Sequence, residues 1–151
     1  MALSSEQVKE LRDRTGVSVM ECKKALEAAE GDMTKALGVL SERARATVDK
    51  KADRVLGAGI VSSYIHNTGH VGALVMLSCE TDFVSKNEEF AALAHDIAMH
   101  AAAMRPADSA ELMQQPFIKD PSKTVSDLIS AATQKFGERI VVGSLTVSAV
   151  K

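Results

Sequence analysis

A chain of 151 residues, 46% of them hydrophobic, fits one domain, or one domain with a small appendage, and carries enough apolar material for a packed core. Eighteen basic against 20 acidic residues leave a net charge of −2, which excludes an overall field that would draw the protein to nucleic acid, although a local basic cluster remains at Lys50, Lys51 and Arg54. No apolar run approaches the roughly 20 residues that cross a bilayer, and the first residues are neither basic nor leader-like; the expectation is a cytoplasmic protein with no membrane partner.

Residues 4–40 read as three short helices. Ser4 with Gln7 forms a capping box, and Val8 with Leu11 starts an apolar stripe that ends near Thr15 and Gly16. A second box, Ser18 with Glu21, opens a helix with Cys22, Ala25, Leu26 and Ala29 on one face, and Gly31 breaks it. Asp32 caps a third, whose stripe is Met33, Ala36, Leu37 and Leu40. Three such helices bury one another's stripes only as a compact bundle, an appendage suited to docking. Residues 41–56 are rich in charge and alanine without a wide apolar face, which predicts a solvated connecting helix or a plain linker.

Gly57 and Gly59 then mark a switch to strand. Residues 60–65 and the apolar run from Val71 to Cys79 flank a turn, His66 to His70, in which Asn67 and Gly69 tolerate positive φ, so the middle of the chain is a hairpin. Thr81 to Asn87 forms the strand-to-helix corner. Phe83 is its anomaly: an aromatic on a polar corner, in a chain with four Phe, one Tyr and no Trp. It either folds back beneath the corner as a plug or stands out as an anchor for a partner.

From Asn87 to Met104 the positions Phe90, Leu93, Ala94, Ile97, Ala101 and Met104 make one helical stripe that stops before Pro106. Residues 106–121 are turn-rich. Thr124 caps a helix with Val125, Leu128, Ile129 and Ala132 inward, ended by Gly137, and residues 140–150 are strand material. The economical assembly is α+β: a three-helix bundle, a connecting helix, then a three-stranded antiparallel sheet covered by helices.

Catalytic chemistry finds little support. His66 and His70 flank the hairpin tip with no third metal ligand near in sequence, and His95 and His100, five apart, point to nearly opposite faces of a helix, as surface or boundary residues. Gly57 and Gly59 enter a strand rather than leaving one for a helix, so they make no phosphate loop. Cys22 and Cys79 belong to no paired-cysteine motif and read as packed free thiols; neither a metal nor a cofactor is expected. A small hydrolase would need Cys79 beside His66 or His70.

Three blocks in order, Leu11 to Gly16, Met20 to Leu26 and Cys79 to Val84, resemble the bacterial elongation factor Ts family. Tyr64 to His66, Asp96 to Ala102, Gln115 to Phe117 and Pro121 to Thr124 are similar to further family blocks, so the likeness spans nearly the whole chain. It implies a ubiquitin-associated-like three-helix domain over residues 1–41, a connecting helix over 42–56 and an α+β core, of the dimerisation type, over 57–151. It also implies a guanine nucleotide exchange factor for elongation factor Tu, a protein without covalent chemistry. In that family the Asp and Phe of a Thr-Asp-Phe-Val signature enter the partner beside its switch region and disturb its Mg²⁺ site. The matching positions are Thr81, Asp82, Phe83 and Val84. The first domain nominates Arg12 and Met20. Phe136, Gly137, Glu138 and Arg139 resemble a family Ile-Gly-Glu-Asn segment near the nucleotide, with two departures, and nominate Phe136 and Gly137. The chain also departs at Val19, where many members carry Met or Gly, in a short stretch between Met104 and Gln115, and in having one core unit where longer relatives have two; this last predicts pairing with a second copy. The competing reading is a chaperone-like or scaffolding module that binds without promoting nucleotide release.

Overall fold

The computed structural model describes residues 2–151. Three helices come first: α1 (Ser5–Thr15), α2 (Val19–Ala28) and α3 (Met33–Lys50). Ser4 and Gln7 make the reciprocal capping box, and Gly16 closes α1 at φ 70°, a left-handed conformation that glycine adopts without a Cβ clash. Ser18 accepts a bond from the Glu21 amide, but the expected box is incomplete, because the Glu21 carboxylate turns to Lys24 and Arg43. Leu11, Cys22, Ala25, Leu26, Ala36 and Leu40 form the bundle's own buried core.

The third helix does not stop near residue 40. It continues to Lys50 because nothing in 41–50 breaks it and Ala44, four positions beyond Leu40, extends the buried stripe. Arg45 on this extension reaches Asp127 at 3.2 Å. Residues 51–57 are turn and extended chain rather than the last turns of a connecting helix.

Strands β1 (Ala58–Ile65) and β2 (Val71–Cys79) form the expected hairpin, with Gly69 at φ 76°; Asn67 keeps an ordinary φ. After a single helical turn, α4 (Asp82–Ser85), comes α5 (Glu88–Met104). The stretch expected to be only turns holds a short helix, α6 (Ser109–Gln114), and a small hairpin of β3 (Pro116–Phe117) with β4 (Asp120–Thr124). Then α7 (Val125–Phe136), begun by a Thr124–Asp127 capping box, leads to β5 (Val141–Ala149). The sheet order is β1-β2-β5, all antiparallel, with a bulge in the β2–β5 ladder between Met76 and Leu77.

On β2, Ala73, Val75, Leu77 and Cys79 alternate into the core, where Phe90, Ala94, Ile97 and Ala101 of α5 and Val125, Ile129 and Ala132 of α7 cover them. Met104, expected in the α5 stripe, lies at its exposed end. His100, expected at the surface or boundary, is fully buried. Its Nδ1 accepts the Ile118 N–H at 3.1 Å, so Nε2 carries the proton and donates to Gln115 at 2.9 Å. Among the described residues no layer covers one face of the sheet, which exposes Val61, Ile65 and Leu74. No helix among the described residues is long and apolar enough to cross a membrane.

Candidate functional site

Thr81 to Val84 occupies the turn that joins β2 to α5. The Ser85 and Lys86 amides donate back to the carbonyls of Thr81 and Asp82 at 3.2 and 3.0 Å, and Asn87 caps α5 through its side chain, so the corner is a closed helical turn between two regular elements. One turn must send neighbouring side chains in different directions. Val84 goes inward, 4% exposed, and packs in the core; Phe83 goes outward, 88% exposed. Of its two sequence readings, the plug is therefore ruled out, since a plug would be covered by its own corner. Asp82 lies beside it on the surface.

The corner is also held from a distant part of the chain. The Glu138 carboxylate accepts the backbone N–H groups of Glu80 and Thr81, both at 3.0 Å, and the Thr81 hydroxyl at 2.6 Å. In return the Glu80 carboxylate accepts the Arg139 N–H at 2.5 Å and faces Arg54 at 3.4 Å. The Arg139 amide, with Arg54 behind it, holds the Glu80 carboxyl below the usual carboxylate range. Because its hydroxyl is engaged by Glu138, Thr81 makes no side-chain cap to α4.

These bonds bring the Phe136–Arg139 segment to the corner. Within it Gly137 is exposed at φ 70°, while Phe136 is half-buried with its ring nearly perpendicular to that of Phe90, 6.1 Å between centroids. Arg12 on α1 and Met20 in the first turn of α2 are both exposed, Met20 at 66%, on the separate three-helix bundle. Val19 is exposed beside Met20. The bundle meets the core chiefly where α3 packs along α7, and Lys135 of α7 adds a second contact, its ammonium lying against Gly16 and pairing with Glu89 in the first turn of α5.

Glu80 and Glu138 fall inside the family-like blocks read from the sequence but were not nominated there as site residues. The available signal was an acid directly after the glycine that ends a helix, but its partner lies 57 or 58 residues away and only the strand pairing joins them.

The arrangement also bears on the hydrolase alternative. Cys79 ends β2 and His66 and His70 lie at its opposite end, separated by eight residue steps of about 3.4 Å. Cys79 is buried, with its thiol toward the Thr81 carbonyl at 3.3 Å, and burial pushes the thiol up from its ordinary value. No group of three or more metal-ligating side chains occurs among the described residues.

The chain matches the family model described as Elongation factor TS over residues 5–107 and 80–150. It is 40% identical to the elongation factor Ts of Desulforamulus reducens, covering 93% of this chain and 85% of that one, and 39% identical to that of Thermodesulfovibrio yellowstonii, covering 94% and 93%. The elongation factor Ts of Leptospira biflexa is 40% identical, with 95% of each chain covered. The chain belongs to the elongation factor Ts family. That membership makes it an elongation factor of protein biosynthesis, and it agrees with the α+β architecture above. The alignments to these elongation factor Ts chains run over 185 to 188 positions, more than the 151 residues here, so the relatives carry residues that this member lacks.

Proposed function

We propose that this chain is a guanine nucleotide exchange factor for elongation factor Tu, binding its GDP form and promoting GDP release in the cytoplasm. The observation that carries the reading is Phe83, 88% exposed on a turn bonded at both ends, in a chain of the elongation factor Ts family. A wedge needs an apolar body that gains by leaving water and a base that does not yield. Phe83 supplies the first, at about 1.5–3 kcal/mol on full burial, and buried Val84 with bonded Thr81 supplies the second.

Asp82 and Phe83 enter the partner beside its Mg²⁺ site, Thr81 and Val84 hold them, and Gly137 with the edge of Phe136 faces the phosphate-loop region. Arg12 and Met20 on the bundle grip another part of the same partner. Phosphate charge and Mg²⁺ carry much of a nucleotide's hold, so loosening the ion's site weakens GDP without breaking a bond. Linkage requires that the factor by which this chain weakens GDP is the factor by which GDP weakens the complex.

A division between an N-terminal bundle and an α+β core is supported by two separate buried clusters, one from Leu11 to Leu40 and one from Ala73 to Val142, whereas α3 runs unbroken from Met33 to Lys50 across the expected boundary at 41/42 and leaves no separate connecting helix over 42–56. Pairing with a second copy is supported by the uncovered sheet face with Val61, Ile65 and Leu74. The test is release of a fluorescent GDP analogue from elongation factor Tu on adding this chain: acceleration is expected, and binding without acceleration would favour the scaffolding module.

A further inference from the structure

We infer that Glu138 is a positioning residue for the exchange wedge, a carboxylate that fixes the Thr81–Val84 turn from the far strand and so sets where Phe83 stands. The inference rests on the exchange reading above and adds a residue to it. Strands β2 and β5 are antiparallel, and their last backbone pair at this end is Ser78 with Val141. Carried on, that register sets Glu80 opposite Arg139 and Thr81 opposite Glu138. Neither strand continues there: Thr81 starts α4, and Gly137 ends α7 in a left-handed conformation. Side chains take over the ladder. Glu138 accepts the two N–H groups of residues 80 and 81 and the Thr81 hydroxyl, and Glu80 accepts the N–H of residue 139, each carboxylate standing where the opposite strand's carbonyls would have stood.

The consequence for Phe83 follows from how little else touches it. With 88% of its surface free, its position is set by the backbone of its own turn. That turn is anchored after Phe83 by the buried Val84 side chain and before it by the Glu138 carboxylate, with the Cys79 thiol also donating to the Thr81 carbonyl at 3.3 Å. With the carboxylate removed, the turn pivots about Val84, and ordering it again opposes binding. Arg139 donates to the Arg54 carbonyl at 2.9 Å and Arg54 pairs with Glu80, so the segment that bears Glu138 is itself tied down.

The test compares Glu138→Ala and Glu138→Gln, each with Phe83 present and in a Phe83→Ala background, in GDP release from elongation factor Tu. Glu138→Ala is expected to cut the acceleration about tenfold, and Glu138→Gln, which keeps an acceptor for both N–H groups, to stay within about threefold of wild type. In the Phe83→Ala background Glu138→Ala should cost nothing further, because the group it positions is gone. An equal loss in both backgrounds, or wild-type exchange by Glu138→Ala, overturns the inference. Amide hydrogen exchange on the free chain separates this from a failure of the exchange reading. The Glu80 and Thr81 amides should exchange about tenfold or more faster in Glu138→Ala while Val75 and Leu77 keep their protection. If wild type does not accelerate GDP release from elongation factor Tu but those amides respond, the exchange reading falls and the clasp stands; if they do not respond, the clasp falls whatever the GDP assay gives.

Discussion

Phe83 and Val84 are chain neighbours on one helical turn, and truncating each to alanine should have opposite consequences. In the free protein Phe83 is 88% exposed, so only about 25 Å² of a side chain of roughly 200 Å² is covered, worth about 0.6 kcal/mol at 25 cal/mol per Å². Val84 is 4% exposed within the core. Losing two buried carbons at about 0.8 kcal/mol each, with a cavity left behind, puts Val84→Ala at about 2–3 kcal/mol. Urea unfolding followed by circular dichroism reads both, and equal slopes would show that the unfolded states are comparable. Phe83→Ala should shift the midpoint little and Val84→Ala substantially. A Phe83→Ala loss as large as that of Val84→Ala would refute the reasoning, since it would mean that the ring packs beneath its own corner in solution.

His100→Ala should destabilise by about 3–5 kcal/mol in thermal unfolding, because it leaves the Ile118 N–H and the Gln115 carbonyl unpaired and opens a cavity; a loss below about 1 kcal/mol would contradict the buried bonds. Acid stability should fall through two carboxylates. Glu80 is lowered by the Arg139 N–H and by Arg54, and Asp127 is lowered because its bonds to Thr124 and Arg45 outweigh the burial that opposes them. A folded-state value below the unfolded one means stability fully present above about pH 5 and lost as pH falls through the unfolded and then the lowered values, so Glu80→Gln and Asp127→Asn should each flatten the acid limb of stability against pH. Cys22 and Cys79 are buried with thiols raised by burial, so both should resist a thiol reagent in the native protein and react on unfolding; prompt native labelling of Cys79 would contradict its placement under the corner.

Local signals were read from the residues wherever the chemistry is local. Ser4, Asp32 and Thr124 cap where their side chains reach the third following amide, and the alternation of Ala73, Val75, Leu77 and Cys79 faces the core as a buried strand should. The α3 helix ran past residue 41 because a narrow stripe, Leu40 then Ala44, suffices when α7 supplies an ion pair at Arg45. The segment 109–124 escaped because a six-residue helix and a two-residue strand are too short to show a period. His100 looked like a surface residue because its burial is compensated by groups 15 and 18 positions away. The corner's motif was legible, and so were both ways of posing Phe83, but the choice between them rests on the depth of Val84 and on Glu138, which only the folded chain brings to Thr81.

The central claim is that an exposed, pinned Phe83 opens the nucleotide site of elongation factor Tu. Stopped-flow release of a fluorescent GDP analogue, with excess unlabelled GDP and wild-type or Phe83→Ala protein, tests it most directly. The account predicts strong acceleration by wild type and a loss of about 10- to 150-fold in Phe83→Ala, the factor equivalent to about 1.5–3 kcal/mol of forfeited burial, with the variant still folded. Acceleration by Phe83→Ala equal to that of wild type would contradict it.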